Sequence, residues 1–138
     1  MISPKLYNLP AYKTNTDLPK LLRIILTGKY TRIDFGYQSN SHIIRCGGVN
    51  IYSKTYLHIH KTEEKHLLLR SENIPVKPGR HHFKSTVDKL YFSLFFSPLP
   101  DRSLTFDIIE EESDTPGLFN YFNIRLNKEK GFILLENF

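Results

Sequence analysis

The residues whose types and spacing best suit chemistry are histidines. His58-Ile59-His60 sets two imidazoles two positions apart inside the alternating segment "KTYLHIHKT". On a β-strand, residues i and i+2 share a face, about 6.5 to 7 Å apart. Two ring nitrogens at that spacing can reach one metal ion, and zinc-type sites combine such nitrogens with carboxylate oxygens. Glu64 follows four residues after His60, and "PGRHHF" supplies His81 and His82. The candidate metal ligands are therefore His58, His60 and Glu64, with His82 or its neighbour His81. The plainer expectation is that His58 and His60 lie on a solvent-facing strand surface, because a ligand set needs three or four convergent groups. On that reading no metal, cofactor or catalytic residue is expected.

Other catalytic patterns fail more simply. Ser41-His42 with Asp34 forms no recognisable triad, and no G-x-S-x-G elbow occurs. Gly47-Gly48 is too short for a phosphate loop and reads as a turn or bulge. The acids Glu110, Glu111, Glu112 and Asp114 lack the alternating oxygen-ligand spacing of a calcium loop, so a solvated acidic corner is the better reading. Cys46 stands alone, which excludes an intramolecular disulfide and suggests a small buried hydrophobe.

These side chains must be held by strands. "LLRIILTGKY" reads as a strand entering a turn at Thr27-Gly28-Lys29, with the glycine expected to supply positive φ. "YTRIDFGYQ" places Ile33, Phe35 and Tyr37 on one face and Arg32 and Asp34 on the other. Leu57 and Ile59 alternate with the two histidines, and "HLLLRS" reads as the hairpin partner of that strand. "NIPVKPGRHHF" has too much proline and glycine for a helix and reads as an extended segment crossing between sheets. "KLYFSLFFS" is a central strand with Phe92, Leu94 and Phe96 inward, ended by Pro98 and Pro100. Next come "LTFDIIEEE", with Leu104, Phe106 and Ile108 inward, and "LFNYFNIRL", with Phe122, Ile124 and Leu126 available to the core. A further strand after Lys130-Gly131 is possible. No helical stripe appears.

Seven to nine strands in 138 residues imply one all-β domain, a sandwich or barrel, with residues 1–19 extended and 20–138 forming the sandwich. Eighteen aromatics, eight Tyr and ten Phe, would fill much of its core. The net charge is +5, with fifteen Lys/Arg against six Asp/Glu up to residue 90 and four against eight afterwards. The basic residues are dispersed between apolar ones, the look of a solvated strand face rather than a nucleic-acid footprint. No apolar run is long enough to span a membrane, and the N-terminus lacks the apolar stretch of a signal peptide. The chain reads as soluble as written, but an exported protein without its leader would look the same, so the compartment stays open.

Two resemblances follow from these residues. The outline His58-x-His60-x3-Glu64, then Pro78-Gly79 before His81 and His82, is similar to the metal site of cupins, although the glycines bracketing the first cupin motif are missing. It implies a metal-dependent enzyme as the alternative function. More of the chain resembles an uncharacterised immunoglobulin-like β-sandwich domain of Bacteroidetes proteins, found with thioredoxin-like and other domains. Ile74-Pro75, Phe96 with Pro98-Leu99-Pro100, Thr105 through Glu110, and Ile124 with Leu126 carry this likeness. It implies a non-catalytic accessory or binding module and gives Glu110 a structural role, accepting backbone N–H groups at a sandwich corner. A ligand or metal carboxylate is the competing role for Glu110. The expected partner is a protein, met through surface aromatics such as Tyr52, Tyr56 or Tyr121, or a second copy paired along an exposed sheet edge. A basic nucleic-acid-binding module is the remaining alternative.

Overall fold

A computed structural model of the chain describes residues 5–7 by their backbone, and residues 19–45, 47–100, 105–110 and 120–125. Among the described residues eight strands run in chain order as β1 (Lys5–Tyr7), β2 (Lys20–Leu26), β3 (Thr31–Gln38), β4 (Tyr56–Ile59), β5 (Lys65–Glu72), β6 (Lys89–Phe96), β7 (Thr105–Ile109) and β8 (Tyr121–Arg125). All pair antiparallel, in the spatial order β1-β2-β3-β6-β5-β4-β7-β8. The all-β expectation is met: the sheet curls into a half-barrel, with almost no helix among the described residues.

β5 is the strand that turns the sheet. Its first half pairs with β4 through Lys65, His66 and Leu67, and its second half pairs with β6 from Leu68 to Glu72. A register shift between Leu68 and Arg70 separates the halves. Such a bulge adds a residue to one strand, bends it and increases its twist.

Alternation fixes what faces inward. Leu21, Ile24 and Leu26 of β2, Ile33 and Phe35 of β3, and Phe92, Leu94 and Phe96 of β6 form one wall of the core. Leu57 and Ile59 of β4, Phe106 and Ile108 of β7, and Tyr121 and Ile124 of β8 form the other. Phe35 stacks on Phe92 with ring centroids 5.1 Å apart and meets Tyr121 at 5.5 Å. The Tyr121 hydroxyl donates to the Pro19 carbonyl, tying β8 to the entrance of β2 across the core.

Several sequence expectations are corrected. Gly28 is not at positive φ; the β2–β3 turn is closed by Thr27, whose Oγ1 accepts the N–H groups of Lys29 and Tyr30. One short helix, α1 (Ser41–Arg45), is present where none was expected. Its start is held by Asn40, whose side-chain oxygen accepts the Ile43 N–H at 2.8 Å, the geometry of an N-cap. The proline-rich stretch after β5 does not cross between sheets, since it returns to β6, the hydrogen-bonded neighbour of β5. On the way it makes bridges between Val76 and Ile51 and between His81 and Val49. Gly48 is required beside that second bridge: at φ +103° it lies so close to the His81 carbonyl that a Cβ would stand 2.1 Å from the oxygen. In β8, Phe122 is exposed while Tyr121 is fully buried, because a register shift between Phe106 and Ile108 puts Asn123 at φ 60° and reverses the alternation.

Leu99 is buried between the two prolines, and its N–H donates to Thr31 Oγ1. Glu110 is buried at the end of β7, where Oε2 accepts the Tyr52 N–H at 3.1 Å. Cys46, Leu104, Glu111, Glu112, Asp114, Leu126 and the tail after Lys130 lie outside the described residues.

Candidate functional site

The outer face of the β5–β4–β7 layer follows from β4. With Leu57 and Ile59 packed into the core, Tyr56 and His58 point the other way, and His60 continues on their side just past the strand. Register then chooses their neighbours: His58 lies between Lys65 of β5 and Asp107 of β7, and Tyr56 lies between Leu67 and Ile109. The face therefore carries a polar row and an apolar row side by side.

In the polar row, His58, His60 and Asp107 offer ligand-type atoms that all lie within 4.8 Å of one another. Asp107 Oδ1 is 2.7 Å from His60 Nε2, and Oδ2 is 3.6 Å from His58 Nδ1. The far nitrogen of His58, Nε2, is 2.9 Å from Glu63 Oε2. Asp107 is the most covered of the three, its side chain 14% exposed against 26% and 36% for the imidazoles. Its Oδ1 also accepts the backbone N–H of Asn123 at 2.9 Å. The hydrogen bond that His58 donates to Glu63, opposed by burial and aided by Asp107, raises the pKa of His58 above its ordinary 6.5. Two imidazole nitrogens and a carboxylate oxygen converging in this way can share protons or hold a divalent ion.

The other sequence candidates go elsewhere. Glu64 approaches His66 at 3.4 Å, and His66 belongs to the inner side of β5, opposite Leu57. His81 pairs with Val49 through its backbone and meets Phe83 ring edge to face at 4.9 Å. His82 is exposed. Among the described residues, His58, His60 and Asp107 form the one group of three or more metal-ligating side chains, and Glu64, His81 and His82 are outside it. Asp107 and Glu63 were missed by sequence reasoning. The cue for Asp107 was its place on the outward side of "TFDII", but nothing local says that β7 lies beside β4.

The apolar row consists of Leu67, Tyr56 and Ile109 on three successive interior strands, with Leu69 next along β5. Leu67 and Leu69 are each 57% exposed. The Lys65 ammonium lies 4.7 Å from the centre of the Tyr56 ring. Of the other aromatics suggested for contact, Tyr52 is half-buried beneath the Lys77 ammonium, and Tyr121 is fully buried.

On the outer face of β2–β3–β6, Asp34 accepts from Arg23, Arg32 and the Ser93 hydroxyl, and Arg70 pairs with Glu72. Arg32 and Arg70 also lie against the Phe95 ring. The basic character of this face is thus interleaved with acids. No helix among the described residues is long and apolar enough to cross a membrane. No protein-family model, curated protein or solved structure matches the chain.

Proposed function

We propose that this chain is a non-catalytic binding module that meets a protein partner on the outer face of β5–β4–β7. The exposure of Leu67 and Leu69 carries the reading. β5 lies between β4 and β6 in the sheet, pairing with β4 through its first half and with β6 through its second, yet its outward leucines stay more than half exposed and gain little from folding. Tyr56 and Ile109 extend the apolar surface across three strands. A contiguous exposed apolar surface of this kind marks interaction sites more often than scattered apolar residues do. Tyr56 under the Lys65 ammonium adds an aromatic contact with a polar margin.

The finer architecture belongs to the same proposal. The sequence likeness to immunoglobulin-like accessory domains of Bacteroidetes proteins, together with the antiparallel all-β sheet, supports a sandwich-type module that serves a larger bacterial system through contact.

The double substitution Leu67→Ser/Leu69→Ser tests the reading. Unfolding stability is expected to stay within about 0.5 kcal/mol of wild type, the range of surface changes. A loss of about 2 kcal/mol or more for each leucine, as for deleted core methyl groups, would mean that the chain covers them itself, and would end the proposal. Sedimentation velocity of the full chain at rising concentration, with and without the substitutions, then separates a second copy from a different protein as the occupant.

A further inference from the structure

We propose that His58, His60 and Asp107 form a binding site for one divalent transition-metal ion of the zinc class, held in place by Glu63 and the Asn123 backbone. The inference stands apart from the partner-binding face, since it uses the polar row and not the apolar one.

The first support is the direction of the nitrogens. His58 turns Nδ1, and His60 turns Nε2, toward the same Asp107 carboxylate. A tetrahedral ion with bonds of roughly 2.0 to 2.1 Å sets its ligand atoms about 3.3 Å apart. His60 Nε2 and Asp107 Oδ1, at 2.7 Å, therefore open by about 0.6 Å, and the wider spacings of the set, all within 4.8 Å, close by up to about 1.5 Å. Rotation of the three outward side chains about their own bonds supplies shifts of that size, with the strands left in place.

The second support is an outer shell that is already built. Metal-binding imidazoles usually donate their second N–H to a carboxylate, which fixes the tautomer. Glu63 stands 2.9 Å from His58 Nε2, so a proton held there leaves Nδ1 as the lone-pair donor. Asp107 is oriented by the Asn123 N–H. Glu63 and Asn123 are also two of the three non-glycine residues with positive φ among the described residues. Such backbone costs about 1 to 3 kcal/mol and tends to gather at functional sites. Here two of the three deviations aim a group at one cluster.

The third support is the donor set. Two imidazole nitrogens and one carboxylate suit zinc, cobalt, nickel or copper, whereas calcium and magnesium seek six or more oxygens. Lys65, in register with His58, carries its ammonium over the Tyr56 ring, which lessens repulsion of a cation. Three protein ligands on a half-exposed face leave the fourth position to water or an added donor.

The test uses untagged full-length protein, stripped with a chelator and titrated with zinc against a competing indicator, with metal content read by plasma mass spectrometry. One zinc per chain is expected, together with a melting temperature that falls when chelator is added. His60→Ala and Asp107→Ala should each weaken binding at least about 100-fold, and Glu63→Ala by about 10- to 100-fold, as outer-shell changes do. His82→Ala should bind as wild type does. Nitrogen-15 NMR of the metal-free wild type should find the His58 proton on Nε2, a preference lost in Glu63→Ala. Circular dichroism checks that each outward-facing variant folds, and the wild-type stoichiometry needs no variant. Wild-type protein that takes up no zinc and melts alike with and without chelator would overturn the site, as would undiminished binding by His60→Ala and Asp107→Ala. Undiminished binding by Glu63→Ala alone would remove Glu63 from it.

Discussion

Asp34 sits on the outward side of β3, yet it is only 8% exposed. Arginines from β2 and β3 and the Ser93 hydroxyl from β6 cover it and donate to it. Burial alone would raise its pKa, but the Ser93 hydrogen bond and the two guanidinium groups outweigh that and hold the carboxyl below its ordinary 3.8. Because the folded value lies below the unfolded one, the stabilisation is complete above pH 3.8 and fades as the pH falls through the folded value. Asp34→Ala is expected to cost about 1 to 3 kcal/mol at pH 7, toward the lower end because both arginines are about one-third exposed. Below pH 3.8 the gap from wild type should narrow. Urea denaturation at pH 7 and pH 3 measures both, and equal stabilities at pH 7 would mean that the cluster contributes nothing. Alternation placed Asp34 on its face but not under cover, because the covering groups belong to neighbouring strands. The candidate site was legible to the same degree: His58 and His60 are two positions apart and visible, whereas Asp107 arrives from 47 positions beyond His60.

Among the elements, β8 departs most from its sequence pattern. Strict alternation assigns Phe122, Ile124 and Leu126 to one face, but the shift against β7 turns Phe122 outward and buries Tyr121. The pivot is Asn123 at φ 60°, a conformation that asparagine tolerates better than other non-glycine residues. Asn123→Val should cost roughly 1 to 2 kcal/mol, since a β-branched side chain opposes left-handed backbone. Asn123→Gly should be close to neutral, which isolates backbone conformation from side-chain loss. Equal stabilities of the valine and glycine variants in a denaturant titration would contradict this account. Strands such as β3, β4 and β6 were readable because their alternation is unbroken. A bulge depends on the partner strand and leaves no local mark. The β2–β3 turn failed for another reason: its glycine drew attention from Thr27, whose hydroxyl makes the closing hydrogen bonds.

For the whole molecule, the core spans both halves of the curled sheet. Phe106, at 0% exposure on β7, belongs to it together with Phe35, Phe92 and Tyr121. Phe106→Ala is expected to cost about 3 to 5 kcal/mol, a large share of the stability of an ordinary domain. A melting temperature almost equal to wild type would show that the two halves do not share one core. The all-β class was legible from period-two alternation and frequent turn residues, whereas the strand order was not, because it depends on pairings that no local pattern encodes.

The order of the strands also shapes how the chain must assemble. β4 pairs with β5 across a turn of five residues, and β2 with β3 across four. β3, by contrast, finds its partner β6 only after a long excursion, Gln38 meeting Lys89 and Thr31 meeting Phe96. Closing so large a loop costs entropy before any contact repays it. The two hairpins can therefore form while the chain is still open, and the β3–β6 seam is the step that commits it. A nascent chain emerging from a ribosome would hold one edge of β3 unpaired until residue 96 had been made, and its inner face without Tyr121 until β8 followed, an interval in which apolar strand surface is open to other chains.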